Sequence, residues 1–248
     1  MCIWKDNCHT LRGSINYLAS VGCREIKLNP IGNTGAWLEG GYQEKHGLSA
    51  EETRRVYYDY LDDFYRDLPE ICVNLGGFFM GHGSEPDLYR IPAIHVAADP
   101  NHTCMCAHAR TSMYISAEGR ALTCMPLSNM DDFQKDYPKI QEVGVQACLS
   151  DSKFMELVNI RSSEVLEHND KCRECPYKNI CLGGCRAVAL LIYGDILAPD
   201  DTICSIFRDG WVERIMEKVK RLRPEAECLE WKLMKELEDT NVKNIDFI

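Results

Sequence analysis

No stretch of this chain approaches the roughly 20 consecutive apolar residues that a membrane-spanning helix needs. Positive charge is in deficit. Lys and Arg total 28 against 38 Asp and Glu, a formal net charge of −10. That balance disfavours a phosphate-binding surface, so neither nucleic acid nor a membrane is expected as a partner. The opening MCIWKDNCHT has no basic segment followed by an apolar one. A secretory signal is therefore not expected, and the cytoplasm is the default expectation. Internal repeats and low-complexity segments are missing too. The glycine-rich LGGFFMGHGSEP lacks the lysine of a phosphate-binding loop and reads as an ordinary loop.

Cysteine, by contrast, is abundant, with 14 in 248 residues. In a reducing compartment, clustered cysteines are better read as metal ligands than as disulfides. Isolated ones behave as small hydrophobes, and Cys2, Cys8, Cys23, Cys72, Cys148 and Cys228 belong to that group. Hydrophobic content of 45% and charged content of 27% suit a globular chain of one or two domains.

The N-terminal third alternates strand and helix. CIWKD (2–6) reads as a strand, and Leu11, Ile15, Leu18 and Ala19 form a helical stripe that Gly22 ends. REIKLNP (24–30) is a second strand, followed by the loop IGNTGAWLEGGYQEKHG. Ser49 and Glu52 make a capping-box pair for a helix whose apolar face is Tyr57, Tyr60, Leu61, Phe64, Tyr65 and Leu68. EICVNLGGFF (70–79) is the third strand. Short connections of this kind imply parallel βαβ units, with neighbours on both edges and cover on both faces. The expected fold class is α/β, with residues 1–95 as the C-terminal part of a partial (β/α) barrel. The missing strands would belong to another part of the protein or to another polypeptide.

From about residue 100 a small α+β, cysteine-rich domain is expected, spanning 100–222, with a helical tail over 223–248. SMYISAEGRALTC (112–124) reads as a hairpin turning at Glu118-Gly119. SKFMELVNI and GCRAVALLIYG read as helices. Phe207, Trp211, Ile215 and Val219 mark one further helix, and Pro224 opens an amphipathic tail.

KCRECPYKNICLGGC places Cys172, Cys175, Cys181 and Cys185 as C-x2-C-x5-C-x3-C. Upstream stand Cys104, Cys106 and Cys124, and downstream Cys204, giving eight candidate thiolates for two four-ligand centres. Zinc and iron–sulfur clusters both take four cysteines. The Cys172–Cys175 pair has zinc-knuckle spacing. Three features favour iron–sulfur: the x5 and x3 gaps make no second knuckle, two glycines adjoin the ligands, and the hairpin ends in a single cysteine. Zinc stays open on spacing alone.

CAHARTSMYISAEGRALTC, then CRECPYKNICLGGC, then Cys204, resemble the SPASM domain of radical S-adenosylmethionine enzymes. That pattern is C-x(9–15)-G-x4-C, a gap, C-x2-C-x5-C-x3-C, a gap and C. Here Cys106 and Gly119 enclose twelve residues, and Gly119 and Cys124 enclose four. The resemblance covers about residues 104–204, and more loosely residues 1 to about 80 as the last part of the family's barrel. It implies two auxiliary [4Fe–4S] clusters with crossed ligation. Cys104, Cys106, Cys124 and Cys185 would hold the first, and Cys172, Cys175, Cys181 and Cys204 the second. The family's two early ligands usually stand further apart than in CMC. Side chains at i and i+2 of a strand share a face, so both are expected to bind. With only one bound, an iron would be open to substrate, water or His102.

The family's radical chemistry needs a C-x3-C-x2-C loop, and none occurs in these 248 residues. Cleavage of S-adenosylmethionine is therefore expected only if the missing N-terminal half is supplied; Asn29 and Pro30 would then edge the cofactor site. Met125 stands where sulfatase-maturing relatives carry an aspartate, which disfavours that activity. The resemblance is strongest to maturases of ribosomally made peptides, although relatives acting on haem precursors or small cofactors share the pattern. A peptide or protein substrate is expected, with the missing half-barrel or a flavodoxin- or ferredoxin-like electron donor as partner. A non-catalytic binding module with structural clusters and a zinc-stapled structural protein are the competing expectations.

Overall fold

A computed structural model describes residues 1–31, 37, 39–96, 99–129, 135–150 and 152–240. Of the expected loop over 31–47, residues 32–36 and 38 lie outside the described residues, and Tyr42–His46 form a short helix rather than loop; the end of the tail also lies outside. The chain is mixed α/β and forms two compact units, Met1–Ala97 with Ser205–Ile248, and Ala98–Cys204. Residues 205–248, expected partly in the cysteine-rich domain and partly as a separate tail, thus fall in the same unit as the N-terminal strands.

In the first unit, β1 (Cys2–Ile3), β2 (Glu25–Pro30) and β3 (Cys72–Leu75) pair in parallel, joined by α1 (Leu11–Ser20) and α2 (Ala50–Asp67). The expected capping box opens α2: Glu52 N–H donates to Ser49 Oγ at 3.1 Å and Ser49 N–H to Glu52 Oε2 at 2.8 Å. Tyr57, Tyr60, Leu61 and Phe64 are buried along this helix. Phe64 meets Phe79 edge-on at 5.2 Å between ring centroids, the favourable aromatic geometry.

Two expectations change here. Ile26, Leu28, Val73 and Leu75 are buried, but Glu25 and Lys27 are exposed and Cys72 and Asn74 half-buried, so within this unit the parallel strands cover one face rather than two. The third strand also stops at Leu75, where Gly76 and Gly77 take φ of +50° and +85°. The chain then returns antiparallel as β4 (Met80–His82) and β5 (Leu88–Arg90), so β3 is not left as an open edge.

The second unit holds β6 (Tyr114–Ile115) and β7 (Ala121–Leu122), an antiparallel pair. Its turn is closed by Gly119 N–H donating to Ser116 O at 2.9 Å, with Gly119 at φ +78°. Helices follow as α3 (Ile140–Cys148), α4 (Lys153–Val158), α5 (Ser162–His168) and α6 (Arg186–Tyr193). Ala121, Leu122, Tyr137, Cys148 and Phe154 form one buried cluster. Leu127, Ala187 and Leu190 form another.

The expected single helix through Phe207 and Val219 is two helices, α7 (Asp201–Arg208) and α8 (Trp211–Leu222), parted at Gly210 with φ +71°. The apolar stripe continues across the break, which is why periodicity alone joins them. Beyond Pro224, β8 (Glu227–Cys228) pairs in parallel with β5 and α9 (Leu229–Thr240) follows. Glu230, 1% exposed, fixes this return: its carboxylate accepts from Arg90 Nε at 2.8 Å and Ile91 N–H at 3.0 Å. Among the described residues no helix is long and apolar enough to cross a membrane.

Candidate metal centre

In the second unit, seven of the eight singled-out thiols lie within electrostatic reach of one another as two sets, without closing into a ligand group. The first is Cys106, Cys124 and Cys185, which come from the segment before the hairpin, the second residue after β7 and the residue before α6. Burial pushes the Cys124 thiol up to about 11; the Leu127 N–H opposes this, and the charges of Cys185 and Cys106 add to it. Cys185 is the most solvent-open of the three, yet the protein packed around it raises its thiol too. Val188 and Ala187 N–H groups at the start of α6 donate toward Cys185 Sγ and favour its thiolate.

The second set is Cys172, Cys175, Cys181 and Cys204. Burial pushes Cys181 up to about 12, opposed by the Gly183 N–H and reinforced by Cys204, Cys172 and Cys175. Cys172 is raised by burial and then by Cys204 and Cys175. Short helical turns, Asp170–Arg173 and Lys178–Cys181, carry the first three of these cysteines or flank them, and α7 carries Cys204.

Cys104 stands differently. Its Sγ accepts from Arg161 Nη1 at 2.9 Å, and Cys104 and Arg161 form an antiparallel bridge. Arg161 Nη1 also donates to His102 O at 3.0 Å, while the exposed His102 ring pairs with Asp99 at 2.7 Å. Met125 is 62% exposed.

The CLGGC segment is shaped by backbone that few side chains tolerate. Leu182, Gly183 and Gly184 all have positive φ, +54°, +88° and +77°. A Cβ on Gly184 would stand 2.6 Å from Asp200 Cβ and 3.0 Å from its Oδ2. Asp200 is 1% exposed and organises both sides of this approach. Its Oδ2 accepts the Cys185 N–H at 2.9 Å, and its Oδ1 accepts Thr202 and Ile203 N–H at 2.8 and 3.3 Å, capping the helix of Cys204.

Arg186 spreads its donors over carbonyls: Gly184 O at 3.2 Å, Ile196 O at 2.9 Å, Ala198 O at 2.7 Å, and Gly183 O. Sequence spacing missed both Asp200 and Arg186. The available signal was a charged residue opening the apolar helix RAVALLIY.

Among the described residues, no group of three or more His, Cys, Asp or Glu side chains forms a site for a metal ion. A tetrahedral zinc site would require thiolates about 3.8 Å apart, from Zn–S bonds of about 2.3 Å. A cubane instead takes each thiolate at a separate iron. The donor set fits a thiolate-held cluster in chemistry. It is all sulfur, and backbone N–H groups donate to Cys124, Cys181 and Cys185, as they do to cluster sulfurs.

Asn29 and Pro30 lie in the other unit, exposed at the C-terminal end of β2, opposite Cys2 and Ile3 of β1. Strand C-termini are where open α/β sheets bind ligands. A shallow depression lined by Asn16, Ser20, Asp67 and Glu70 lies instead between the C-terminal ends of α1 and α2. Compared with protein-family models, curated proteins and solved structures, the chain matches none.

Proposed function

We propose that this chain is the SPASM-bearing portion of a radical S-adenosylmethionine enzyme, most like those that modify ribosomally made peptides. The observation that carries the proposal is the sorting of the thiols. Cys185 lies within electrostatic reach of Cys106 and Cys124, and Cys204 within reach of Cys172 and Cys181, which Cys175 also reaches. That agrees with the crossed ligation that the resemblance to SPASM domains implies. Cys106, Cys124 and Cys185 would hold one [4Fe–4S] cluster, with Cys104 as its fourth ligand once released from Arg161. Cys172, Cys175, Cys181 and Cys204 would hold the other. Such clusters supply one-electron chemistry beside a substrate.

This chain's own residues then do three things. The thiolates bind, N–H groups of Leu127, Gly183, Ala187 and Val188 stabilise the sulfurs, and Asp200 fixes the backbone of Cys185 and the helix of Cys204. The strands of the first unit would be the end of a partial barrel, with Asn29 and Pro30 at the rim of the S-adenosylmethionine site. Cleaving that cofactor would need the missing half-barrel. Reduction would come from a flavodoxin- or ferredoxin-like donor, in the cytoplasm. The absence of C-x3-C-x2-C favours one second reading, a binding module in which the clusters are structural.

The test is iron counting in protein made without oxygen. Cys185→Ser and Cys204→Ser should each lose about half the iron, and the two should remove different paramagnetic signals. Loss of the same signal by both would refute the crossed assignment.

A further inference from the structure

We propose that Arg186 is a fixed buried cation shared by both clusters and that, with Asp200, it sets how readily each accepts an electron. This rests on the two-cluster reading above. Arg186 is 7% exposed, and its hydrogen-bond partners are neutral carbonyls of Gly183, Gly184, Ile196 and Ala198. Burying a guanidinium without an ion pair is strongly unfavourable unless other negative charge surrounds it.

Arg186 directly follows Cys185 of the first set, and its guanidinium donates to the carbonyls of Gly183 and Gly184, which lie between Cys181 of the second set and Cys185. Its other acceptors, Ile196 O and Ala198 O, lead to Asp200 and Cys204. The guanidinium is thus held by chain that carries ligands of both sets. A four-thiolate cubane is a net anion that gains one further negative charge when a reductant gives it an electron. A nearby fixed cation favours the reduced form, and a nearby fixed anion opposes it. Asp200 supplies an opposing charge beside the first set, since its carboxylate accepts the Cys185 N–H at 2.9 Å.

The bland alternative is a structural clamp. Arg186 would merely tie the CLGGC carbonyls to those of 196 and 198. The two roles separate in a redox titration with dithionite, followed by electron paramagnetic resonance on the full chain, after iron and sulfide are counted. Arg186→Gln should lower both midpoints by at least a tenfold change in the one-electron equilibrium, about 59 mV. Arg186→Lys keeps the charge and should move them much less. Asp200→Asn should raise the midpoint of the cluster held by Cys185.

Iron-replete Arg186→Gln with unmoved midpoints would leave only the clamp and overturn the proposal. Should Arg186→Gln lose its iron, the other two variants decide. An upward shift in Asp200→Asn with Arg186→Lys near wild type supports the proposal; an unmoved or lowered midpoint in Asp200→Asn overturns it. Iron-free wild-type protein would sink the two-cluster reading itself, an outcome seen before any variant is made.

Discussion

Replacing Gly184 by alanine should damage the cysteine-rich unit far more than the same change at Gly194, although both glycines are left-handed, with φ of +77° and +68°. The backbone cost is common to the two, about 1–2 kcal/mol for an L-residue in that region. What differs is the space. Nothing lies within 4 Å of a Cβ at Gly194, whereas at Gly184 it meets Asp200 Cβ at 2.6 Å and Oδ2 at 3.0 Å. Asp200 has little freedom to yield, because its carboxylate holds the Cys185, Thr202 and Ile203 N–H groups. Overpacking of this kind adds about 1–3 kcal/mol. The total for Gly184→Ala is therefore about 2–5 kcal/mol, against about 1–2 kcal/mol for Gly194→Ala. Urea unfolding of both variants by circular dichroism, with linear extrapolation, measures the difference. Equal losses, or a larger loss at Gly194, would refute the placement of Asp200 against CLGGC.

Glu230→Ala should destabilise the first unit by about 2–3 kcal/mol, since it orphans the buried Ile91 N–H and frees Arg90. Lys232→Ala, which breaks only an exposed 3.2 Å pair with Glu227, should cost no more than about 0.5 kcal/mol when both variants are compared by urea unfolding. Acid should expose the Asp67 contribution. Hydrogen bonds from Arg12 and then Asn16 hold its carboxyl below the usual carboxylate range. A lowered folded pKa gives stability that is complete above the unfolded value of about 3.9 and is lost as pH falls through the folded value. Asp67→Asn should accordingly flatten the decline in urea midpoint below about pH 4; an unchanged slope would contradict that assignment.

How much of this was legible in the sequence follows from what each signal can carry. The Ser49–Glu52 capping box and the turn at Gly119 were readable because each is a local rule acting over a few residues. The parallel order of β1, β2 and β3 followed from strand–helix alternation. Neither the antiparallel return through MGH and LYR nor the parallel addition of EC was legible, since these strands are too short to display a period of two. One-face burial of β2 was in fact written in its alternation, Glu25, Ile26, Lys27, Leu28, but the βαβ pattern outweighed it. In the cysteine-rich unit, spacing singled out the eight thiols, and their division into two sets came from the family resemblance. The hydrogen bonds of Arg186 and Asp200 depend on loop backbone at 183–184 and 196–203, which no residue pattern specifies.

The most direct measurement is the metal and sulfide content of the chain produced without oxygen, with its visible spectrum. The account predicts about eight irons and eight acid-labile sulfides per chain, with broad brown absorption. About one or two zinc ions in a colourless protein would contradict it and leave a zinc-stapled structural unit in its place.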